Sequence, residues 1–261
     1  MTGSLIRIEK DRCQAVFSLS PFKFNTRETM ANIAIIPAAG TGSRMQAGVN
    51  KQYLLLAGRP ILAHTLALFA CHPRIDRICI VVPKDEIDYC RAEIVNYYGF
   101  GKVSAIIAGG PTRQDSVANA LQSCGAAADD LVIIHDGARP LLLAPLLDDL
   151  LAAAAACGAA TLGVPVKDTI KKVRAGVIVA TLERSELWQV QTPQAFCFEL
   201  LCAAHGQARV DGFVATDDAM LVERLPHAVA MVLGSYRNIK ITTREDLAIA
   251  SALLSSQGTL K

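Results

Sequence analysis

From residue 31 onward, short unbroken apolar runs alternate with longer stretches of helical period, and this alternation limits the fold more than any other feature of the chain. A run such as Ile33-Ala34-Ile35-Ile36 has apolar residues at both alternate positions, so a strand made from it must be covered on both faces. Strands are predicted at 32–37, 77–82, 103–108, 131–136, 160–165, 188–191 and 229–233. Helices are predicted at 60–70, 84–98, 113–123, 144–157, 198–205, 217–223 and 243–256. Each of the first three strands is followed by a helix, the rhythm of parallel βαβ units. The expected fold class is therefore α/β, a Rossmann-like, mostly parallel sheet flanked by helices. Ligands of such sheets bind beyond the carboxyl ends of the strands.

One segment departs from the rhythm. "VPVKDTIKKVRAGVIVATLERSELW" has two polar-alternating stretches around Arg174-Ala175-Gly176, a hairpin signal too polar for the core. It is predicted to project as a β-arm over about 165–187, and its simplest support is a second copy of the chain, giving a homodimer. The first 29 residues mix both charge signs, lack a signal-peptide pattern and are expected to be loosely ordered. Residues 30–261 are expected to form one domain.

The chemistry-bearing residues cluster at the strand ends. "PAAGTGSRMQAGVNKQY" follows the first strand, and its small residues Ala38, Ala39, Gly40 and Gly42 let a ligand approach main-chain N–H groups, which suit phosphate oxygens. Arg44 and Lys51 lie in the same crossing. The dinucleotide pattern G-x-G-x-x-G fails at Met45, and no G-K-[ST] follows to make a Walker loop. "AGGPTRQDSV" supplies Gly110 and Ser116, whose hydroxyl can donate to a base or a phosphate. "IIHDGARP" places Asp136 just past a buried strand, suited to a magnesium ion or a ribose hydroxyl, with Arg139 either pairing with it or contacting ligand. His135 reads as a packed residue, since it has no serine or cysteine partner. Thr192 in "QTPQ", Thr216 and Asp217 in "ATDDA" and Lys240 in "NIKITT" are further candidates. The flanking Ile239 and Ile241 suggest a strand with Lys240 directed off its apolar face.

Taken in order and spacing, "PAAGTGSRM…NKQY", "GGPTRQDSV", "HDGARP", "PVKDTIK", "QTPQ" and "NIKIT" resemble the 2-C-methyl-D-erythritol 4-phosphate cytidylyltransferase family from about Ala31 to Ser255. The resemblance implies a nucleotide-diphospho-sugar transferase-like fold and CMP transfer from CTP to the methylerythritol phosphate in non-mevalonate isoprenoid synthesis. It implies Arg44, Lys51 and Lys240 as the catalytic cations, and Ala38, Ala39, Gly40, Gly42, Gly110, Ser116 and Asp136 at the nucleotide. Asp136 is implied as a ligand of Mg2+ or another divalent cation held mainly by the CTP phosphates. Arg139, Thr192, Thr216 and Asp217 are implied at the acceptor, with Thr169 and Arg184 supplied by the arm across a dimer interface. The chain departs from the family at Asn50, where a proline is usual before the lysine, and at Gly137, where an alanine is usual. Asn50 is expected to loosen the loop without removing the charge.

Composition sets the outer limits. The net charge is +2, so no global field selects nucleic acid or an anionic membrane. No stretch of eighteen consecutive apolar residues occurs, so no transmembrane helix is expected. Eight cysteines without a C-x-x-C pair read as reduced thiols of a cytoplasmic protein. The alternatives are a ribitol-5-phosphate cytidylyltransferase, a sugar-1-phosphate nucleotidyltransferase and a non-catalytic nucleotide-binding protein.

Overall fold

The structure, a computed structural model, describes residues 30–40 and 50–258 of the 261. The expected extension over residues 1–29, Gly42 and Arg44 lie outside the described residues.

Seven strands form one sheet: β1 (Asn32–Pro37), β4 (Arg77–Val82), β5 (Val103–Ala108), β6 (Leu131–Ile134), β7 (Ala159–Pro165), β10 (Trp188–Cys197) and β11 (Ala230–Leu233). Their spatial order is β11-β7-β10-β6-β1-β4-β5. β1 runs parallel to β4 and β6, β4 to β5, and β11 to β7, whereas β10 is antiparallel to both of its neighbours. The expected mostly parallel sheet is present, with β10 alone reversed among these strands. A separate short ribbon, β2 (Leu55–Leu56) and β3 (Arg59–Pro60), follows β1 in the chain.

The continuous apolar runs explain the layering. Ala34 and Ile36 pack on one face with Leu62, Leu66 and Phe69 of helix α1 (Ile61–Cys71). Ile33 and Ile35 pack on the other with Val117 and Leu121 of α2 (Arg113–Ser123) and Leu200 and Leu201 of α4 (Phe198–Val210). Helix α3 (Ala144–Cys157) joins the first layer and α5 (Asp218–Glu223) the second. Helix α6 (Arg244–Gly258) closes a smaller cluster of Leu56, Ile61, Leu141, Ile241 and Ala250. Burying one such aliphatic side chain stabilises the fold by about 1.5–3 kcal/mol, so the central strands are held by many residues at once.

Several boundaries differ from the sequence reading. The segment expected as one helix over 84–98 is composite: a 3-10 turn at Lys84–Glu86, an α turn at Ile87–Tyr89 and a π-helical stretch at Cys90–Asn96. β10 continues six residues beyond Gln191, because the register shift between Val190 and Gln194 accommodates Pro193 without ending the strand. Lys240 lies in a loop, not on a strand, since this segment has no ladder partner among the described residues.

The expected arm is present as β8 (Lys171–Arg174) and β9 (Val177–Thr181), an antiparallel hairpin separate from the main sheet. Every residue in both strands is exposed. Ala175 and Gly176 both have positive φ, at 46° and 78°, the left-handed conformation that a tight hairpin turn requires.

Candidate active site

The carboxyl ends of β1, β5 and β6 meet over a cavity of about 300 Å3, at the small end of the range of ligand pockets. Its walls include Ala38, Ala39, Gly40, Lys51, Gly110, Ser116, Asp136 and Lys240, so eight of the expected residues come together. Thr192 and Arg139 sit one layer behind it. Thr216 and Asp217 stand at the start of α5, and Thr169 and Arg184 are exposed at the base of the arm.

Local chemistry positions the rim. Thr112 caps α2: its hydroxyl accepts from Asp115 N at 3.1 Å, and the Asp115 carboxylate accepts from Thr112 N at 3.1 Å. This reciprocal cap starts the helix at Arg113 and sets Ser116 one turn in. Ser116 Oγ donates to Thr112 O at 2.9 Å and accepts from Gly110 N at 3.1 Å, folding the glycine corner over the helix start. A Cβ on Gly110 would lie 2.4 Å from Asp115 Cβ, and one on Gly109 would lie 2.5 Å from Ala39 Cβ. Only glycine lets this corner close.

Asp136 is the electrostatic centre. Lys240 Nζ lies 2.9 Å from Oδ2, Arg139 Nε 3.5 Å from Oδ2 and Arg113 Nε 3.4 Å from Oδ1. Burial by itself would raise the carboxyl pKa, but Arg113, Lys240 and Arg139 outweigh it and hold the group well below the usual carboxylate range. Arg113 also pairs with buried Asp218 at 2.7 Å, and Asp218 meets His205 at 3.2 Å. Burial opposes charge on Arg113, yet Asp218 and Asp136 more than offset it, so the guanidinium is locked in its charged form. Its Nη2 is buried with no hydrogen-bond partner among the described residues. Arg113 escaped the sequence reading because Asp218 is 105 residues away, and only its place at the start of a rim helix hinted at a role.

The loop carrying Lys240 is stapled to the Asp136 turn. Ile241 N donates to Ala138 O at 2.9 Å, Arg139 Nη1 to Asn238 O at 2.7 Å and Asn238 Nδ2 to Thr192 O at 2.8 Å. Thr192 Oγ1 accepts from Asp136 N at 3.0 Å and lies 3.3 Å from His135 Nδ1, while His135 Nε2 donates to Arg139 O at 3.1 Å. Burial pushes the His135 pKa down to about 4, so the ring is neutral and structural, as its lack of a nucleophilic partner suggested. Asp217 caps α5 by accepting from Met220 N at 3.0 Å, and its other oxygen accepts from Gln194 Nε2 at 2.8 Å.

The donor set does not make an all-protein metal cage. Among the described residues, Asp136 is the only carboxylate in the cavity wall, and no group of three His, Cys, Asp or Glu side chains is assembled. One carboxylate beside a polyanion site does suit a cation that arrives on ligand phosphates.

Three comparisons with known proteins agree. A family model for 2-C-methyl-D-erythritol 4-phosphate cytidylyltransferase matches residues 32–256. The protein of that name from Syntrophotalea carbinolica is 56% identical over 229 residues, spanning 88% of this chain and 98% of the relative. The Geotalea uraniireducens protein of the same name is 50% identical over 224 residues, spanning 85% and 96%. Among solved structures, a 4-diphosphocytidyl-2C-methyl-D-erythritol synthase from Anaerococcus prevotii superposes with a TM-score of 0.76 at 32% identity, covering 87% of this chain and 96% of the other. A 2-C-methyl-D-erythritol 4-phosphate cytidylyltransferase from Thermus thermophilus does so with a TM-score of 0.70 at 34% identity, covering 85% and 98%.

Proposed function

Because this chain belongs to the 2-C-methyl-D-erythritol 4-phosphate cytidylyltransferase family, we infer that it transfers CMP from CTP to 2-C-methyl-D-erythritol 4-phosphate in non-mevalonate isoprenoid synthesis. Pyrophosphate leaves, and 4-diphosphocytidyl-2-C-methylerythritol forms. The observation that carries this reading is the gathering of Lys51, Lys240 and Arg113 with a glycine-lined rim in one strand-end cavity. A phosphate oxygen of the acceptor forms a new bond to the α-phosphorus as the bond to the bridging oxygen of the leaving pyrophosphate breaks. Two polyanions must meet, so positioning and positive charge matter more than an acid–base pair.

In this reading the main-chain groups at Ala38, Ala39, Gly40 and Gly110 seat the nucleotide, and Ser116 keeps the Gly110 corner shaped for it. Lys51 and Lys240 offset charge on the reacting phosphates. Asp136 would hold a divalent cation such as Mg2+ together with the CTP phosphates, and the cation's contribution is to neutralise phosphate charge. Lys240 already contacts Asp136 at 2.9 Å, so the carboxylate keeps the ammonium at the rim before substrate arrives. Thr192, Thr216, Asp217 and Arg139 contribute to the acceptor side.

The arm supports a homodimer. Val173, Val177, Ile178 and Val179 are 49–65% exposed on it, an apolar surface that a second copy would cover while bringing Thr169 and Arg184 to the acceptor. Among the described residues Cys71, Cys79, Cys90, Cys124, Cys197 and Cys202 are free thiols, and no helix is long and apolar enough to cross a membrane. Both features suit the proposed cytoplasmic location. The test is incubation with CTP, Mg2+ and either methylerythritol phosphate or ribitol 5-phosphate, with products identified by mass. Cytidylylated methylerythritol as the dominant product supports the reading. Preferential use of ribitol 5-phosphate, or no pyrophosphate release with either acceptor, overturns it.

A further inference from the structure

We propose that Glu86 is a positioning residue for Lys51: it clamps the two residues that flank the lysine and so directs the ammonium into the nucleotide cavity. The inference rests on the reading of Lys51 given above. Glu86 ends the 3-10 turn that follows β4, on the neighbouring strand end. Asn50 Nδ2 donates to its Oε1, and Gln52 Nε2 donates to its Oε2 at 3.3 Å. Each carboxylate oxygen thus holds one side of the Asn50–Gln52 step. With Asn50 and Gln52 both tied to Glu86, the Lys51 between them is held at the cavity wall, which Gln52 also lines.

A second contact reinforces the clamp. Tyr53, next in the same turn, meets Tyr89 edge-on at a centroid distance of 4.9 Å, and Tyr89 lies three residues beyond Glu86. The composite helix therefore grips the lysine turn at a polar point and an aromatic point. Asn50, expected to loosen this loop, is instead tied down. Its φ of −58° and ψ of 134° fall where a proline ring would fix φ unaided. Two side-chain amides and a carboxylate do here what a ring closure could do covalently. A carboxylate that neutral amides hold on both oxygens is a restraint on geometry, and its loss should appear in the chemical step more than in binding.

The experiment compares the full chain with Glu86→Ala, Glu86→Gln and the Asn50→Pro/Glu86→Ala double variant. Steady-state kinetics with CTP and methylerythritol phosphate are measured beside thermal unfolding. Glu86→Ala is expected to lower kcat by about 10- to 100-fold while the KM for CTP moves by less than about threefold. Glu86→Gln, which cannot accept from both amides, falls between it and the parent. The double variant recovers most of the lost kcat, because proline restores the backbone angle without the clamp. A Glu86→Ala variant with parental kcat overturns the proposal, as does a folded double variant no faster than Glu86→Ala. If Glu86→Ala does not fold, Glu86→Gln and its Asn50→Pro double are read by the same criteria. An inactive parent chain would instead refute the assigned reaction, so the two failures are distinguishable.

Discussion

The strand-end rim and the β-arm are built on opposite principles. At the rim, Asp136 meets three cations, Gly110 fits a gap closed to any larger residue, and nearly every polar group around His135 and Thr192 has a partner within the chain. On the arm, β8 and β9 pair only with each other among the described strands, and their apolar side chains face outward. Among the described residues the rim is held together by its own contacts, whereas the arm leaves its apolar side chains uncovered. The nucleotide-facing chemistry is therefore expected to be a property of one chain, whereas the acceptor side depends on what the arm rests against.

Removing charge from the rim should have the largest effect. Lys51→Ala is expected to cut turnover by about 100- to 1000-fold while thermal unfolding stays close to the parent, since one preorganised cation is worth about 3–4 kcal/mol of barrier. Near-parental kcat would remove Lys51 from its role.

The next effect is on stability and comes from beneath the rim. His135 has a folded pKa of about 4 against 6.5 for a free imidazole, so the fold binds its proton less readily than the unfolded chain does. Stability is then complete above about pH 6.5 and declines as pH falls toward 4, by about 3 kcal/mol at most from this residue. His64 and His227, whose pKa values burial also lowers, add to the same decline. Urea unfolding from pH 7.5 to 4 should show the slope, and His135→Asn should flatten part of it. An unchanged slope would mean that His135 is not held neutral.

The arm should respond differently. A Val177→Asp/Ile178→Asp pair puts charge on both faces of the hairpin, at side chains 65% and 60% exposed in one chain, so the unfolding midpoint should hardly move. Under the proposed dimer, sedimentation should shift from dimer to monomer, and kcat/KM for the acceptor should fall by about tenfold or more. A monomeric variant with full acceptor efficiency would break the contrast between the two regions.

The smallest effect is expected at Gly137. A Cβ there would lie 3.1 Å from Ala38 Cβ and 3.3 Å from Pro37 O, a contact relieved by shifts of a few tenths of an ångström. Gly137→Ala should cost about 1 kcal/mol or less in urea unfolding. A larger loss would show that the first strand end is less yielding than its neighbours suggest.

Much of this was legible from particular residues. β1, β4 and β5 follow their apolar runs to the residue, and the signal is least broken in β1 and β4, which are covered on both faces. Helices α2 and α3 begin and end where their patterns do. Eight of the expected site residues line the cavity because strand ends on one edge of a parallel sheet converge whatever lies between them. What stayed hidden depends on long-range pairing. The strand expected to end at Gln191 runs on through Pro193 where a register shift absorbs it, and Ile239 and Ile241 read as a strand until no ladder is found for them among the described residues. Arg113 and Glu86 carry no local signal of their partners, Asp218 and Asn50, which only the fold brings to them.

The most direct test of the rim's role is a crystal structure of the chain with CTP. The account predicts the triphosphate in the strand-end cavity, with Lys51 and Lys240 ammonium groups about 2.7–3.2 Å from phosphate oxygens and the base against the Gly110 corner. A nucleotide bound elsewhere, with both lysines turned to solvent, would contradict it.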